Sequence, residues 1–429
     1  MASFPAGLVP DERFGLSSRD PVRDPLWGHI YLVEGFHALL DTPAFQKLRW
    51  IMQLGPAHLV YPGATHTRSA HSLGVYHLSV RLLHALLSRG ACLSSNAERI
   101  RSFFAAALLH DVGHFPFTHA LKELPLEDHE ALSASLILAE PLRSALGRSG
   151  CDPEFSAAIV NQELVSSDKE LNFFRSLLSG VLDPDKLDYL NRDARYCGVP
   201  YGAQDIDFIF SRLSVAPEKG LVIDSRGISS IEALLFAKYL MYRSVYWHRD
   251  VRSATAMVKR ALWMALESGE IANGDLYGLD DAGLFSLLSL KAPLASSLAS
   301  SVRSGALYQS IHEEAFDEGM ALHLELEQLP SRSVLEERLR EKLSIKLNKV
   351  IEKQELVIDV PERISFESDL WIRDEGVPFA KSSTVFSFDT VSRFTRALRT
   401  IRVFVSPRLF HESVEALSTE KACLADFLS

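Results

Sequence analysis

The chain has 429 residues, of which 47% are hydrophobic and 23% are charged, and its formal net charge is −10. This composition is that of a soluble globular protein with apolar residues for about two or three domains. The acidic charge argues against a surface coated with phosphate-binding basic residues, so an extended nucleic-acid interface is not expected.

Membrane and disulfide-rich classes are also not expected. No apolar run reaches the ~18 residues of a membrane-spanning helix, and the N-terminus has no secretory pattern. The four cysteines are scattered and include no CxxC pair, which indicates free thiols in a reducing cytoplasm.

The predicted elements divide the chain into four regions. Residues 1–27 are polar and are expected to form an arm. Residues 28–265 have apolar residues three and four positions apart, which predicts a mainly α-helical domain with one short strand near 220–224. Residues 266–330 are predicted to form short helices and linkers. In residues 331–429, strand-like runs (LVIDV, RISFES, WIRDEG and IRVFV) alternate with helices, which predicts a smaller α+β C-terminal lobe.

Nine of the fifteen histidines fall within residues 58–129. Histidine is the commonest metal ligand and the usual proton carrier near neutral pH, so this crowding predicts a functional site. The pair His110 and Asp111 closes an apolar helix, where burial without partners would be costly and a metal ion would satisfy both groups. His71 lies near the start of another amphipathic helix, three residues after Arg68.

A second polar cluster lies in LDPDKLDYLNRDARYCGV. A helix that starts near Pro184 would place Asp185, Asp188 and Arg192 on one face, because these positions are three and four residues apart. Such a stretch alone is typical of a solvated charged face. Beside an incomplete His-His-Asp set, one of these aspartates becomes a natural fourth ligand.

The ordered set His71, His110, Asp111 and Asp185 resembles the H…HD…D signature of the HD-domain phosphohydrolases. Five segments extend the resemblance over residues 24–255 to the deoxynucleoside triphosphate triphosphohydrolase branch: DPLWGHIYL, DTPAFQKLRWIMQLG, YPGATHTRSAHSLGVYHL, ALLHDVGHFPFTHAL and LDPDKLDYLNRD. The resemblance implies an HD-domain helical bundle that hydrolyses dNTPs to deoxynucleoside and triphosphate. It also implies that the four signature residues bind a divalent metal such as Fe, Mn, Zn, Ni or Mg.

The resemblance assigns further residues to the substrate and to proton transfer. The implied triphosphate clamps are Arg68 and Lys186. The implied contacts on the sugar side are Gln53, Tyr189, Asp193 and Tyr246. The implied catalytic histidines are His119 and His129, with His114 lining the phosphates.

One position departs from the family pattern. Family members often have an aspartate three residues after the histidine that corresponds to His119, where it orients the catalytic histidine. This chain has Lys122 there. The nearby carboxylates that could replace the aspartate are Glu123, Glu127 and Asp128.

A regulatory site is also implied. Asp41, Gln46 and Arg49 match positions that form a guanine-nucleotide activator site between subunits in vertebrate members, which implies a nucleotide-activated homo-oligomer. The alternative is that this stretch is an ordinary helix of the fold, with Arg49 in a salt bridge.

Two other functions stay open from the residues alone. One is an HD phosphohydrolase that acts on another phosphoester, such as a nucleoside monophosphate or a cyclic or signalling nucleotide. The other is a nucleotide- or nucleic-acid-binding regulator whose HD site is vestigial, and the acidic net charge disfavours its nucleic-acid form. The expected ligand is a small nucleotide, and none of the three hypotheses requires a membrane.

Overall fold

The computed structural model describes residues 12–17, 20–91, 96–163, 165–216, 219–364, 366–418 and 424. The predicted N-terminal arm lies partly outside these ranges. Cys92, Cys423 and the end of the helix predicted near the C-terminus also lie outside them.

Helices dominate the described ranges. They are α1 (His37–Leu40), α2 (Pro43–Lys47), α3 (Arg68–Ser88), α4 (Ala97–Leu109), α5 (His129–Leu138), α6 (Leu142–Arg148), α7 (Pro153–Val160), α8 (Lys169–Leu178), α9 (Pro184–Cys197), α10 (Ile206–Arg212), α11 (Ile228–Met241), α12 (Arg249–Glu267), α13 (Asp281–Lys291), α14 (Pro293–Arg303), α15 (Ala321–Glu327), α16 (Leu329–Leu347), α17 (Phe388–Leu398) and α18 (Phe410–Ser418). Among the residues described, no helix combines the length and the apolar character needed to cross a membrane.

Within the described residues the strands form three small sheets. They are β1 (Val22–Asp24), β2 (Gly28–Ile30), β3 (Leu213–Ala216), β4 (Gly220–Ile223), β5 (Gln309–Ala315), β6 (Leu356–Asp359), β7 (Trp371–Ile372), β8 (Val377–Pro378) and β9 (Thr400–Val405). β1 and β2 form an antiparallel hairpin, and the other sheets have the orders β3-β4-β7-β8 and β5-β9-β6. The predicted fold class, mainly α with a smaller α+β lobe, is confirmed.

The helical core holds the ends of three helices in fixed positions. The Asn96 side chain caps α4 by accepting a hydrogen bond from the Arg99 N–H, and every residue from Phe103 to Leu109 is fully buried. α4 packs against α3 and α7, and α3 packs against α9. The large apolar area that these helices bury stabilises them, so side chains at their ends are held on a rigid support.

The predictions for the C-terminal lobe have mixed outcomes. The runs LVIDV and IRVFV are strands β6 and β9, and the strand predicted near 220–224 is β4. The strand predicted at RISFES is wrong for the residues described there: they form no strand, and Arg363 and Ile364 line a cavity. Residues 266–330, predicted to form short helices and linkers, also contain strand β5, which pairs with β9 through its backbone. Its side chains are mostly polar, so the sequence shows no apolar pattern that would predict a strand.

Two sheets join parts of the chain that the sequence separates. β4 pairs in parallel with β7, with Val222 opposite Trp371, and β5 of the linker region pairs with β9 of the C-terminal lobe. Helix α12 continues to Glu267, past the boundary predicted after residue 265. The four-region division stays a prediction.

Candidate active site

The ends of three helices meet at one place. α3 begins at Arg68 after an extended Thr67, and α4 ends with His110 as its C-cap residue. α9 begins after Asp183, whose carboxylate accepts the Lys186 N–H and caps the helix. This arrangement brings His71, His110 and Asp185 together, and one ligand atom from each lies within 4.8 Å of the others.

The distances between these three side chains suit a shared cation. His71 Nε2 lies 3.0 Å from Asp185 Oδ1, and His110 Nε2 lies 4.0 Å from the same oxygen. The two imidazole centroids are 5.4 Å apart with the rings nearly perpendicular. Two imidazoles and a carboxylate are a donor set that first-row divalent metals prefer.

Hydrogen bonds on the other ring nitrogens orient both imidazoles. His71 Nδ1 lies 2.8 Å from Asp188 Oδ2, and His110 Nδ1 lies 2.9 Å from the Ala107 carbonyl oxygen. Because carboxylate and carbonyl oxygens only accept, the Nδ1 atoms carry protons and the Nε2 atoms face the site. His110 Nε2 is buried without a hydrogen-bond partner among the described residues. These donors therefore fit a divalent metal ion.

The charge on His71 supports the same conclusion. Burial lowers the pKa of His71, but hydrogen bonds to Asp185 and Asp188 outweigh burial and raise that pKa to about 10. In the metal-free protein a proton thus bridges the ring and the carboxylate of Asp185. A divalent ion satisfies the same two groups with more charge, so its binding releases that proton.

A buried network holds Asp188 in place behind His71. Arg192 donates to both Asp188 oxygens at 2.8 and 2.9 Å, and Trp27 Nε1 donates to Oδ1 at 2.5 Å. Arg192 also donates to Asp24 at 2.8 Å. Gly74 of α3 makes room for this network, since a Cβ there would lie 1.8 Å from Asp188 Oδ1.

Asp111 lies beside the donor group and contacts several of its neighbours. Its Oδ2 accepts a hydrogen bond from Arg68 Nη1 at 2.8 Å and lies 4.0 Å from His71 Nε2. Its Oδ1 lies 3.3 Å from His110 Nε2 and 3.2 Å from His114 Nδ1. The carboxylate thus connects the predicted metal ligands with a predicted phosphate clamp. Its own role as a ligand stays a prediction.

The two predicted catalytic histidines, His119 and His129, form a second cluster with His114. The ring centroid of His114 lies 4.9 Å from that of His119 and 4.1 Å from that of His129. His114 Nε2 and His119 Nε2 are 3.2 Å apart. His114 is fully buried, whereas His119 and His129 line the cavity. His114, which the resemblance places beside the phosphates, thus packs against the other two rings, and the roles of all three histidines stay predictions.

The structure separates the carboxylates that could replace the missing aspartate. Glu123 is committed to Lys259 at 3.2 Å and to Arg332. Asp128 caps α5 and its Oδ2 lies 3.5 Å from His129 Nδ1, and this contact lowers the pKa of the Asp128 carboxyl. Asp128 is thus the carboxylate that faces a catalytic-histidine candidate.

Cations surround the metal end of a cavity of about 520 Å³. The predicted clamps Arg68 and Lys186 line it, and so does Lys122. Lys186 is held by Asp183 at 2.7 Å. Sequence reasoning missed Lys238 of α11, which also lines the cavity. Burial and the charge of Lys186 lower the pKa of Lys238 to about 8. Its four-residue spacing from Tyr242 was the signal that could have found it.

Polar groups that suit a sugar lie farther along α9. The Tyr246 hydroxyl donates to Asp193 Oδ2 at 2.6 Å. Asp193 Oδ1 lies 2.8 Å from Nε2 of the buried His66, a residue to which the sequence assigned no role. Gln53 Oε1 is buried without a hydrogen-bond partner among the described residues. Gln53, Tyr189, Asp193 and Tyr246 all line the cavity.

The predicted regulatory residues lie outside the cavity. Asp41 and Arg49 are exposed, and Gln46 Nε2 donates to the Leu40 carbonyl at 2.6 Å. Trp50 follows Arg49 and is 68% exposed. The activator role stays a prediction.

Comparison with known proteins places these observations in context. Residues 68–187 match the family model of the HD domain, and residues 205–409 match that of the HD associated region. An uncharacterised protein of Methanocaldococcus jannaschii is 34% identical over 272 residues, which cover 63% of this chain and 55% of that protein. The human deoxynucleoside triphosphate triphosphohydrolase SAMHD1 is 28% identical over 295 residues, which cover 61% of this chain and 47% of that protein. The matches thus span about half the length of these relatives.

A solved structure resembles nearly the whole chain. The crystal structure of a phosphohydrolase from Bacteroides thetaiotaomicron has a TM-score of 0.69 at 25% sequence identity, and the match covers 90% of this chain and 99% of that one.

Proposed function

Because the chain belongs to the HD-domain phosphohydrolase superfamily, in its dNTP triphosphohydrolase-like branch, we propose that it is a metal-dependent phosphohydrolase that converts dNTPs to deoxynucleosides and triphosphate. The observation that carries the proposal is that one cavity is lined by three kinds of group: the metal donors, several cations and the polar residues that suit a sugar. The relative named as a dNTP triphosphohydrolase supports the substrate, and the physical chemistry of the cavity supports the reaction class.

Each group in the cavity has a role in this reaction. A divalent ion held by His71, His110 and Asp185 would supply Lewis-acid polarisation of a phosphoryl oxygen and of water. Arg68 and Lys186 stabilise the negative charge that develops on the phosphoryl oxygens. Water adds to the α-phosphorus, the bond from that phosphorus to the 5′ oxygen breaks, and the 5′ oxygen receives a proton. His119 and His129 are the groups placed to carry that proton.

The reaction products test the proposal. The purified protein is stripped of metal, reloaded with Mn²⁺, Fe²⁺, Zn²⁺, Ni²⁺ or Mg²⁺, and incubated with dNTPs, a nucleoside monophosphate and cyclic nucleotides. Chromatography is expected to show deoxynucleoside and intact triphosphate in equal amounts. Phosphate or a monophosphate as the first product from a dNTP would refute the proposed reaction. Turnover of the other phosphoesters alone would establish the alternative enzyme, and no turnover with any metal would indicate a regulator.

His129→Ala is expected to retain the metal and lower kcat by about 10²–10⁴-fold, because the change removes a proton-transfer group and leaves the metal donors intact. The measurement is steady-state turnover of the best dNTP beside metal content by elemental analysis. His411→Ala is the matched control, since His411 is exposed on α18. Wild-type turnover by His129→Ala would rule out the proton-transfer role.

The activator site is part of the same proposal. Asp41 and Arg49 present opposite charges at the surface, and the adjacent Trp50 is an exposed aromatic side chain of the kind enriched at protein interfaces. A guanine nucleotide that binds the assembled, active state more tightly than the free subunit would shift the protein toward the assembled state.

A further inference from the structure

Glu362 places a carboxylate in the wall of the cavity, beyond the polar residues that suit a sugar. Glu362 follows strand β6, lines the cavity and has a side chain that is 38% exposed. Its Oε2 accepts a hydrogen bond from Arg252 Nη1 at 2.9 Å, and its Oε1 accepts a long one from Trp247 Nε1 at 3.4 Å. The sequence suggested no role for this residue.

Glu362 shares its guanidinium partner with a second carboxylate. Arg252 donates to both oxygens of the fully buried Asp359, at 2.9 and 2.7 Å. One guanidinium therefore serves two carboxylates, and Asp359 has the bidentate contact that neutralises it best. Burial alone would raise the pKa of Glu362, but the charges of Arg252 and Lys259 and the hydrogen bonds to its carboxylate together lower it. An ionised carboxylate accepts about four hydrogen bonds, so Glu362 has capacity left toward the cavity.

The cavity carries polar groups suited to different parts of a ligand. Arg68, Lys186 and Lys238 lie near the metal donors, whereas the carboxylate of Glu362 lies with Arg252 and Arg363 at the wall formed by α12 and the segment after β6. Asp193 lies between the two ends, because it is eight residues after Asp185 and therefore about 12 Å farther along α9. Such a cavity fits a ligand with phosphates at one end and N–H donors at the other.

Aromatic contacts continue this order from Asp193 toward Glu362. Tyr246 donates to Asp193 and its ring centroid lies 5.0 Å from that of Tyr242. The Tyr242 ring lies 5.1 Å from Trp247, which donates to Glu362. A nucleotide whose sugar contacts Asp193 and Tyr246 would therefore place its base against Tyr242 and near Glu362.

The edge that a carboxylate binds best distinguishes the bases. Guanine presents two adjacent donors, the ring N1–H and the amino group on C2, which match the two oxygens of a carboxylate. Adenine and cytosine pair an amino donor with a ring nitrogen acceptor, and thymine flanks its N–H with two carbonyl oxygens. Those acceptors would face the negative oxygens of Glu362 and disfavour binding.

We propose that Glu362 is a specificity-determining residue that binds the N–H edge of the base and selects guanine nucleotides. This inference rests on the proposed function, because it takes the triphosphate to lie at the metal end. The inference adds to the proposed function a preference for one base, because the metal donors and the cations contact only the phosphates.

The test compares dGTP with dITP, which lacks only the amino group on C2. Wild type is expected to favour dGTP by about 10–100-fold in kcat/KM, because dITP leaves one carboxylate oxygen without its donor. In Glu362→Gln the ratio is expected to fall to about 1–3, since the amide offers one acceptor and places its NH₂ against the base. Glu375→Gln, an exposed change in the turn between β7 and β8, is the matched control and should keep the wild-type ratio.

The outcomes separate this inference from the proposed function. A wild-type ratio near 1, or an unchanged ratio in Glu362→Gln, would overturn the role of Glu362 while dNTP hydrolysis stands. Absence of dNTP hydrolysis in the metal-loaded wild type would instead overturn the proposed function. Thermal unfolding and turnover of dTTP show whether Glu362→Gln is folded, and the expected result is an unchanged melting temperature with dTTP turnover at or above that of wild type.

Discussion

Replacement of His110 by alanine is expected to remove both bound metal and hydrolysis. The Nε2 atom of His110 is buried without a hydrogen-bond partner among the described residues and faces Asp185, so the change deletes a donor that the fold already orients through the Ala107 carbonyl. The change leaves His71, Asp185 and the predicted ligand Asp111, which are too few protein ligands for tight binding of a first-row metal once an imidazole is lost. Turnover is expected to fall by more than about 10³-fold, measured beside metal content after purification in metal-supplemented buffer.

Asp111→Ala is expected to give the same loss, with a second cause. The change also frees Arg68, whose Nη1 donates to Asp111 at 2.8 Å, so a phosphate clamp loses its position. His411→Ala serves as the histidine control for both experiments. Full activity without bound metal in either variant would refute the metal centre.

The second large effect is expected at Asp188, which contacts the metal site through His71. In Asp188→Ala the fully buried Arg192 keeps only Asp24 as a carboxylate partner. Removal of one partner from a buried ion pair costs about 3–5 kcal/mol in the free energy of unfolding, because a buried charge loses its compensation. The loss of the carboxylate that orients His71 is also expected to weaken metal binding by about 10–100-fold. Urea unfolding and metal titration measure the two effects.

The conservative variant separates positioning from folding. Asp188→Asn keeps the shape of the side chain and an acceptor for Arg192 but loses the charge that holds the His71 N–H. It is expected to retain most of the stability and still bind metal more weakly. Asp207→Asn is the control, because Asp207 pairs with Arg81 with its own side chain 90% exposed. Unchanged metal affinity in both Asp188 variants would show that the network serves folding alone.

Much of the local architecture could be predicted from the chain. The helix that ends at His110 and the helix that begins at Pro184 follow from apolar spacing and from a capping aspartate, and both signals act over a few residues. Strands β6 and β9 were predictable because their side chains are apolar and buried. Strand β5 was not, since its polar side chains carry no such pattern and its pairing with β9 is decided by backbone hydrogen bonds.

The sequence by itself determined the residue types of the candidate site: the imidazoles, carboxylates and cations come in an order that resembles one family. Tertiary structure decided which of them meet. Trp27 contacts Asp188 across 161 positions and His66 contacts Asp193 across 127, and Glu362 reaches the cavity from the short stretch between the runs LVIDV and RISFES. Apolar periodicity indicates only neighbours within a few turns, whereas these contacts depend on how helices and sheets pack. That packing sets the hydrogen bonds that orient the histidine rings and brings Glu362 to the cavity.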